Sequence, residues 1–167
     1  VEVIRPFDDL IEKGPFMGRE NECVLTTNNK SIGVNPGLGF ASPPGHTLLK
    51  ELLDLYETLH FVNKSGIINY KTIVEYTTEC LLHYGLTHKN EIQFVDGFYV
   101  YPKEYFCPKD YVYLGKGQLT ITQNSRSIHH FAESWHSDSK VKKTIAKILP
   151  SCVLAKIWKI KKKFNLS

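Results

Sequence analysis

Short runs of alternating apolar and polar residues, interrupted by two longer stretches with a three-to-four-residue period, make up most of this chain. Alternation over residues 1–5 predicts a strand that Pro6 ends, and Asp8 to Glu12 predicts a helical turn closed by Gly14-Pro15. Phe16 to Glu20 and Glu22 to Thr26 read as two short strands, residues 27–30 as a turn, and Ser31 to Ala41 as an extended segment carrying Asn35, Gly33, Gly37 and Gly39. From Gly45 to Phe61, Leu48, Leu49, Leu52, Leu53, Leu55, Tyr56 and Leu59 form one broad apolar face of a helix. A loop over residues 63–70 leads to a second helix from Thr72 to Tyr84, which Gly85 terminates. Asp96-Gly97, between apolar runs at 92–95 and 98–101, marks a hairpin, because a two-residue turn needs positive φ that Asp and Gly tolerate. Lys116-Gly117 turns into a strand from Gln118 to Thr122, and the polar residues 123–125 into a last strand, Ser127 to Phe131. Beyond it, Asp138 to Leu149 reads as a helix closed by Pro150, and Ser151 to Phe164 as another. Strands interleaved with helices predict an α/β fold with a mixed sheet flanked by helices.

A length of 167 residues with 42% hydrophobic and 12% aromatic content suits one domain with its own core. Charge divides it into a body, residues 1–137, and a basic helical tail, residues 138–167. The tail holds 9 of the 21 basic side chains and one of the 17 acidic ones, net +8, which leaves the body with 12 basic and 16 acidic, net −4. A nucleic-acid-binding body would carry lysines and arginines across a working face, so no nucleic-acid partner is expected. In the segment 151–167, Val153, Leu154, Ile157, Trp158, Ile160 and Phe164 form an apolar stripe among five lysines. That pattern suits either an anionic membrane surface or a helix lying solvated or packed on its own domain. The four cysteines, Cys23, Cys80, Cys107 and Cys152, have no C-x-x-C spacing and read as reduced thiols. With no apolar run long enough to span a bilayer and no secretory segment, the expected location is cytoplasmic, peripheral at the inner face of the membrane if the tail binds there. The chain opens inside a strand without methionine, and is therefore expected to be part of a larger domain.

The densest candidate chemistry is the run from Ser127 to Ser137. Alternation sets Ser127, His129 and Phe131 on one face and Ile128 and His130 on the other, so the two adjacent histidines cannot share one task. Either one of them serves a site, or both are partly buried imidazoles with ordinary hydrogen bonds. Ser134 and Trp135 follow on the loop that leaves this strand. The glycines around Asn35 signal a bulge, close approach of another group, or tight packing of a helix on the sheet. The G-x-G-x-x-G spacing of a dinucleotide-binding turn is absent there. Asp8 and Asp9 are read as helix caps in preference to a metal-binding carboxylate pair. His46 is either a cap or a substrate contact. The aromatic cluster Phe98, Tyr99, Tyr101, Tyr105, Phe106, Tyr111 and Tyr113 is either a stacking platform or core and rim packing.

Residues Ile128-His129-His130-Phe131-Ala132-Glu133-Ser134-Trp135 resemble the I-H-H-x-x-x-S-W segment of the DXD-containing glycosyltransferases of family 32, the bacterial capsular polysaccharide and lipopolysaccharide sugar transferases. Upstream, in the same order, Val1-Glu2-Val3-Ile4 is similar to the strand after that family's Asp-x-Asp motif, and Asn35 to Ala41 to its N-x-G-x-G-F strand. Gly45-His46 with Leu48-Leu49 resembles its G-H-P-x-L helix start, and Tyr101 to Pro108 its Y-P-x-x-F-x-P segment. The resemblance covers the chain up to about Ser137. It departs at Thr77-Thr78-Glu79, where Glu75 and Tyr76 stand in place of a proline or small residue.

The resemblance implies the C-terminal part of a GT-A-like nucleotide-diphospho-sugar transferase fold. It further implies a UDP- or GDP-sugar donor, Mn²⁺ or Mg²⁺ at the diphosphate, and transfer with retention to a polysaccharide or lipid-linked acceptor. Carried onto this sequence, His129 (alternatively His130) is a metal ligand, Ser134 and Trp135 bind the donor, Asn35 is catalytic and Gly37 lines the sugar site. No Asp-x-Asp occurs in the chain; the family pattern puts it ahead of Val1, and residues 1–167 alone are expected to be inactive. Two other classes remain open at this stage: a carbohydrate-binding module that uses the aromatics without metal, and a membrane-associated scaffold protein that works through the basic tail.

Overall fold

The computed structural model describes residues 1–24, 30–110 and 117–131, with backbone alone over 21–24 and 30–32. In chain order its elements are β1 (Glu2–Val3), α1 (Asp8–Lys13), β2 (Phe16–Val24), β3 (Lys30–Val34), a 3-10 turn (Pro36–Leu38), β4 (Phe40–Ala41), α2 (Thr47–Thr58) and α3 (Ile73–His83). They are followed by β5 (Gln93–Val95), β6 (Phe98–Tyr101), α4 (Lys103–Phe106) and β7 (Ser127–Ile128). Five strands form a sheet in the order β3-β2-β6-β5, with β4 also on β2, while β1 and β7 make a separate two-stranded ribbon. The β2–β6 pair is parallel and the other pairs antiparallel, so the fold is α/β with a mixed sheet flanked by helices.

Both faces of the sheet are covered, which strand alternation makes possible. Met17 and Val100 point into a cluster with Leu48 of α2 and Leu81 of α3. Their neighbours Phe16 and Tyr101 point into a second cluster with Leu10 of α1, Leu38, and Tyr105 and Phe106 of α4. Phe106 is the hub of the second cluster. It stacks on Phe16 at 5.5 Å and 2° and meets Phe7 edge-on at 5.5 Å. The ring lies directly over Gly18, where a Cβ would overlap it.

The helices follow the periodic stretches closely. Thr72 and Glu75 close a capping box at the start of α3, and Gly85 at φ 92° ends that helix. Asp96 and Gly97, at φ 45° and 81°, make the hairpin turn between β5 and β6. The buried aromatics Phe98, Tyr101, Tyr105 and Phe106 form core, which decides against a stacking platform built from them; Tyr111 and Tyr113 lie outside the described residues.

Five expectations need correction. The stretch from Phe16 to Val24 is one strand, and the break expected at Asn21 is a register shift between Arg19 and Glu22. The segment 31–41 divides in three, because Pro36 starts the 3-10 turn and Gly39 at φ 150° redirects the chain into β4. Asp8 and Asp9 do not cap α1: Phe7 holds the capping position, the acids complement the helix dipole from the first turn, and Asp9 takes a 2.7 Å ion pair from Arg126. Residues 118–122 form only a bridge, Lys109 to Leu119, because Pro108 has no N–H with which to continue a ladder. The last strand stops at Ile128, since β1 offers only Glu2 and Val3 as partners and Phe131 turns away at φ 51°.

Gly18→Ala is expected to destabilise the protein by about 1–3 kcal/mol, the cost of forcing a methyl against a packed ring. Combining it with Phe106→Leu should cost less than the two single changes added, because both act at one contact. Urea denaturation of the four proteins measures this, and full additivity would mean that the Gly18–Phe106 approach is not what limits the position.

Candidate functional site

His129 and His130 follow directly after β7, and their surroundings differ. His129 is half-buried, its ring 4.3 Å from that of Phe131, and its buried Nδ1 has no hydrogen-bond partner among the described residues. Burial, and after it His130, holds the imidazole below its ordinary pKa, so the ring is neutral near pH 7. A neutral imidazole with an uncommitted ring nitrogen is the form that ligates a cation or accepts a proton. His130 is exposed and committed elsewhere: its Nε2 lies 2.7 Å from Glu2 Oε2 across the β1–β7 ribbon.

The Asn35 turn approaches the same aromatic cluster from the sheet. Leu38, at the end of this turn, and Phe131, two residues past His129, both pack against that cluster. Asn35 Oδ1 accepts from the Gly37 N–H at 2.8 Å and its Nδ2 donates to Glu20 Oε2 at 2.6 Å. The carboxamide thus shapes the turn and keeps one amide hydrogen uncommitted by these bonds. Gly37 is exposed, and a Cβ there would stand 3.0 Å from Asn35 Oδ1, so glycine keeps the turn tight.

Glu20 was not singled out from the sequence. Burial raises its pKa, opposed by the hydrogen bond from Asn35, so its carboxyl holds a proton more readily than a free glutamate. The available signal was a charged pair, Arg19-Glu20, directly after the apolar start Phe16-Met17 of the same strand. Arg19 itself is fully buried and donates to the carbonyls of Lys89 at 2.5 Å and Thr87 at 3.2 Å. His46 resolves as a cap: its Nδ1 accepts from the Leu48 N–H at 3.2 Å, and its ring packs on Phe98 at 4.3 Å.

On the opposite cluster, Glu51 of α2 accepts a hydrogen bond from the Tyr84 hydroxyl and a long one, 3.7 Å, from the Cys80 thiol. Burial and Glu51 push the Cys80 thiol up to about 11, and the Glu51 hydrogen bond pushes Tyr84 up to about 12. Cys80 is therefore a protonated thiol, unsuited to nucleophilic attack at neutral pH.

For a divalent cation, the described residues provide one fitting donor, the neutral His129 nitrogen. No group of three or more His, Cys, Asp or Glu side chains among them converges to hold a metal ion. The fit is to one ligand position. Ser134, Trp135 and the whole basic tail lie outside the described residues. Among the described residues no helix is long and apolar enough to cross a membrane. Comparison of the chain with protein-family models, with curated proteins and with solved structures finds no match in any of the three.

Proposed function

We propose that this chain is the C-terminal part of a GT-A-like, metal-dependent glycosyltransferase that moves a sugar, with retention, from a UDP- or GDP-sugar to a polysaccharide or lipid-linked acceptor in surface polysaccharide synthesis. The observation that carries this reading is the neutral His129, whose Nδ1 has no hydrogen-bond partner among the described residues, just past β7 and beside Phe131, which packs against the aromatic cluster that also holds Leu38 of the Asn35 turn. It lies in the segment that resembles I-H-H-x-x-x-S-W. His129 would hold Mn²⁺ or Mg²⁺ together with carboxylates of the family's Asp-x-Asp. Such an ion offsets the charge that builds on the leaving diphosphate.

The chain's own residues have separate tasks. Burial beside the Phe131 ring keeps His129 neutral, so one of its two ring nitrogens offers a lone pair. Ser134 and the Trp135 indole N–H donate to the diphosphate, and Trp135 covers the donor. The remaining Asn35 amide hydrogen, with Glu20 fixing the carboxamide, orients a sugar hydroxyl beside Gly37. The basic tail, with its apolar stripe, holds the enzyme at the inner face of the cell membrane, where a lipid-linked acceptor resides.

In a protein that includes the Asp-x-Asp segment, His129→Ala is expected to lower metal-dependent transfer or donor hydrolysis about tenfold to a thousandfold, the scale of losing one contact to a developing anion. His130→Ala should leave turnover near wild type, since it removes an exposed pair with Glu2 worth about 1 kcal/mol or less. Assay of both variants across a Mn²⁺ titration decides between them. Loss of metal dependence in His130→Ala alone would reverse the assignment, and an upstream sequence without Asp-x-Asp would remove the glycosyltransferase reading.

For the tail, cosedimentation with anionic vesicles should fall steeply with added salt, because exposed charges are screened within about 10 Å at 0.1 M. Equal recovery on neutral vesicles would refute an electrostatic tail contact.

A further inference from the structure

We infer that the hairpin over residues 59–71, between α2 and α3, is a second and structurally independent anchor, built to seat in an anionic phospholipid surface. Phe61, Val62, Ile67, Ile68 and Tyr70 are all exposed on this short excursion, with Phe61 at 69%, Ile67 at 66% and Tyr70 at 79%. Single exposed apolar residues are ordinary, but five on one projecting loop, beside exposed Leu53 and Ile73 on the flanking helices, mark an interaction surface.

Several backbone groups of this loop are paired from within. Val62 and Ile68 form a bridge, the Asn63 N–H donates to the Ile67 carbonyl at 3.0 Å, and the Gly66 N–H to the Asn63 carbonyl at 2.9 Å. Asn63 Oδ1 accepts from the N–H groups of Ser65 and Ile67, both at 2.9 Å, and the Asn69 N–H reaches the Phe61 carbonyl at 2.8 Å. These bonds hold the loop in one shape, so its apolar side chains are presented together. The base is held to α3: Asn69 Nδ2 donates to the Tyr76 hydroxyl at 2.8 Å, and Lys71 lies 4.5 Å from the Tyr76 ring centroid and pairs with Glu79.

Charge selects the occupant. Residues 59–71 contain no Asp or Glu, and with Lys71 paired to Glu79 it is the exposed Lys64 that meets an anionic headgroup, in a body where acids outnumber bases 16 to 12. Exposed aromatic and branched apolar groups with lysine suit the headgroup boundary of an anionic bilayer. The same positive charge opposes the basic tail as occupant.

The test is cosedimentation of the full chain with phosphatidylglycerol-containing vesicles, in the native sequence and with Lys159, Lys161, Lys162 and Lys163 changed to Gln to weaken the tail. Phe61→Ser/Ile67→Ser is expected to lower partitioning about a hundredfold in both backgrounds, the scale of two large side chains kept in water. Lys64→Glu should lower it about tenfold at low salt and little at about 1 M, where charges are screened. All three side chains are exposed, so the melting temperature should not move; if the double variant fails to fold, Lys64→Glu carries the test alone. Partitioning of the loop variants within twofold of their parents, or no vesicle binding by either parent, would overturn the inference. So would loss of a vesicle-free dimer in the loop variant, which would assign the patch to a contact between copies. None of these outcomes depends on sugar transfer.

Discussion

The close approach of Phe106 to Gly18 is the contact on which the arrangement of this protein depends. A side chain at position 18 would hold α4 away from β2, and Phe106 would lose its stack on Phe16 and its edge contact with Phe7. The same helix carries the β1–β7 ribbon: the Arg126 N–H donates to the Tyr105 carbonyl at 2.7 Å, and Ser127 Oγ to the Phe106 carbonyl at 3.4 Å. A single missing Cβ therefore sets the distance between the sheet and the histidine segment.

Polar groups inside the two cores specify which loops dock where. The Thr78 hydroxyl accepts from the Val34 N–H at 2.8 Å and donates to the Val74 carbonyl at 2.6 Å, joining α3 to β3. Arg19 spends its buried charge on the carbonyls of Thr87 and Lys89 rather than on a carboxylate. Burial opposes its charged form and Glu91 supports it, so the loop before β5 is held by groups that are costly to leave unpaired. On the ribbon, Asp9 is kept ionised by its hydrogen bond to Arg126, which ties α1 to the residues just before β7.

The two histidines illustrate how little separates a site from a surface contact. One residue of register sends His130 to Glu2 in solvent and His129 to a half-buried place beside Phe131, where desolvation keeps it neutral. The difference in their chemistry arises from environment alone, since both side chains begin from the same imidazole.

Local signals that involve neighbouring residues were legible in the sequence. The apolar face of α2, the capping box and terminal glycine of α3, and the Asp96-Gly97 turn follow from 3.6-residue periodicity and from backbone conformations few residues accept. The different surroundings of His129 and His130 do not follow from alternation, since β7 stops at Ile128. What only the tertiary structure decided concerns partners distant in the chain. That Phe16 to Val24 is a single bulged strand depends on β3, β4 and β6 lying beside it. The exposure of Leu119 and Ile121 follows from pairing with a proline-interrupted segment, and the raised carboxyl of Glu20 follows from Asn35 and burial together. Periodicity records which side of an element is apolar; it carries no record of which other element, if any, arrives to cover that side.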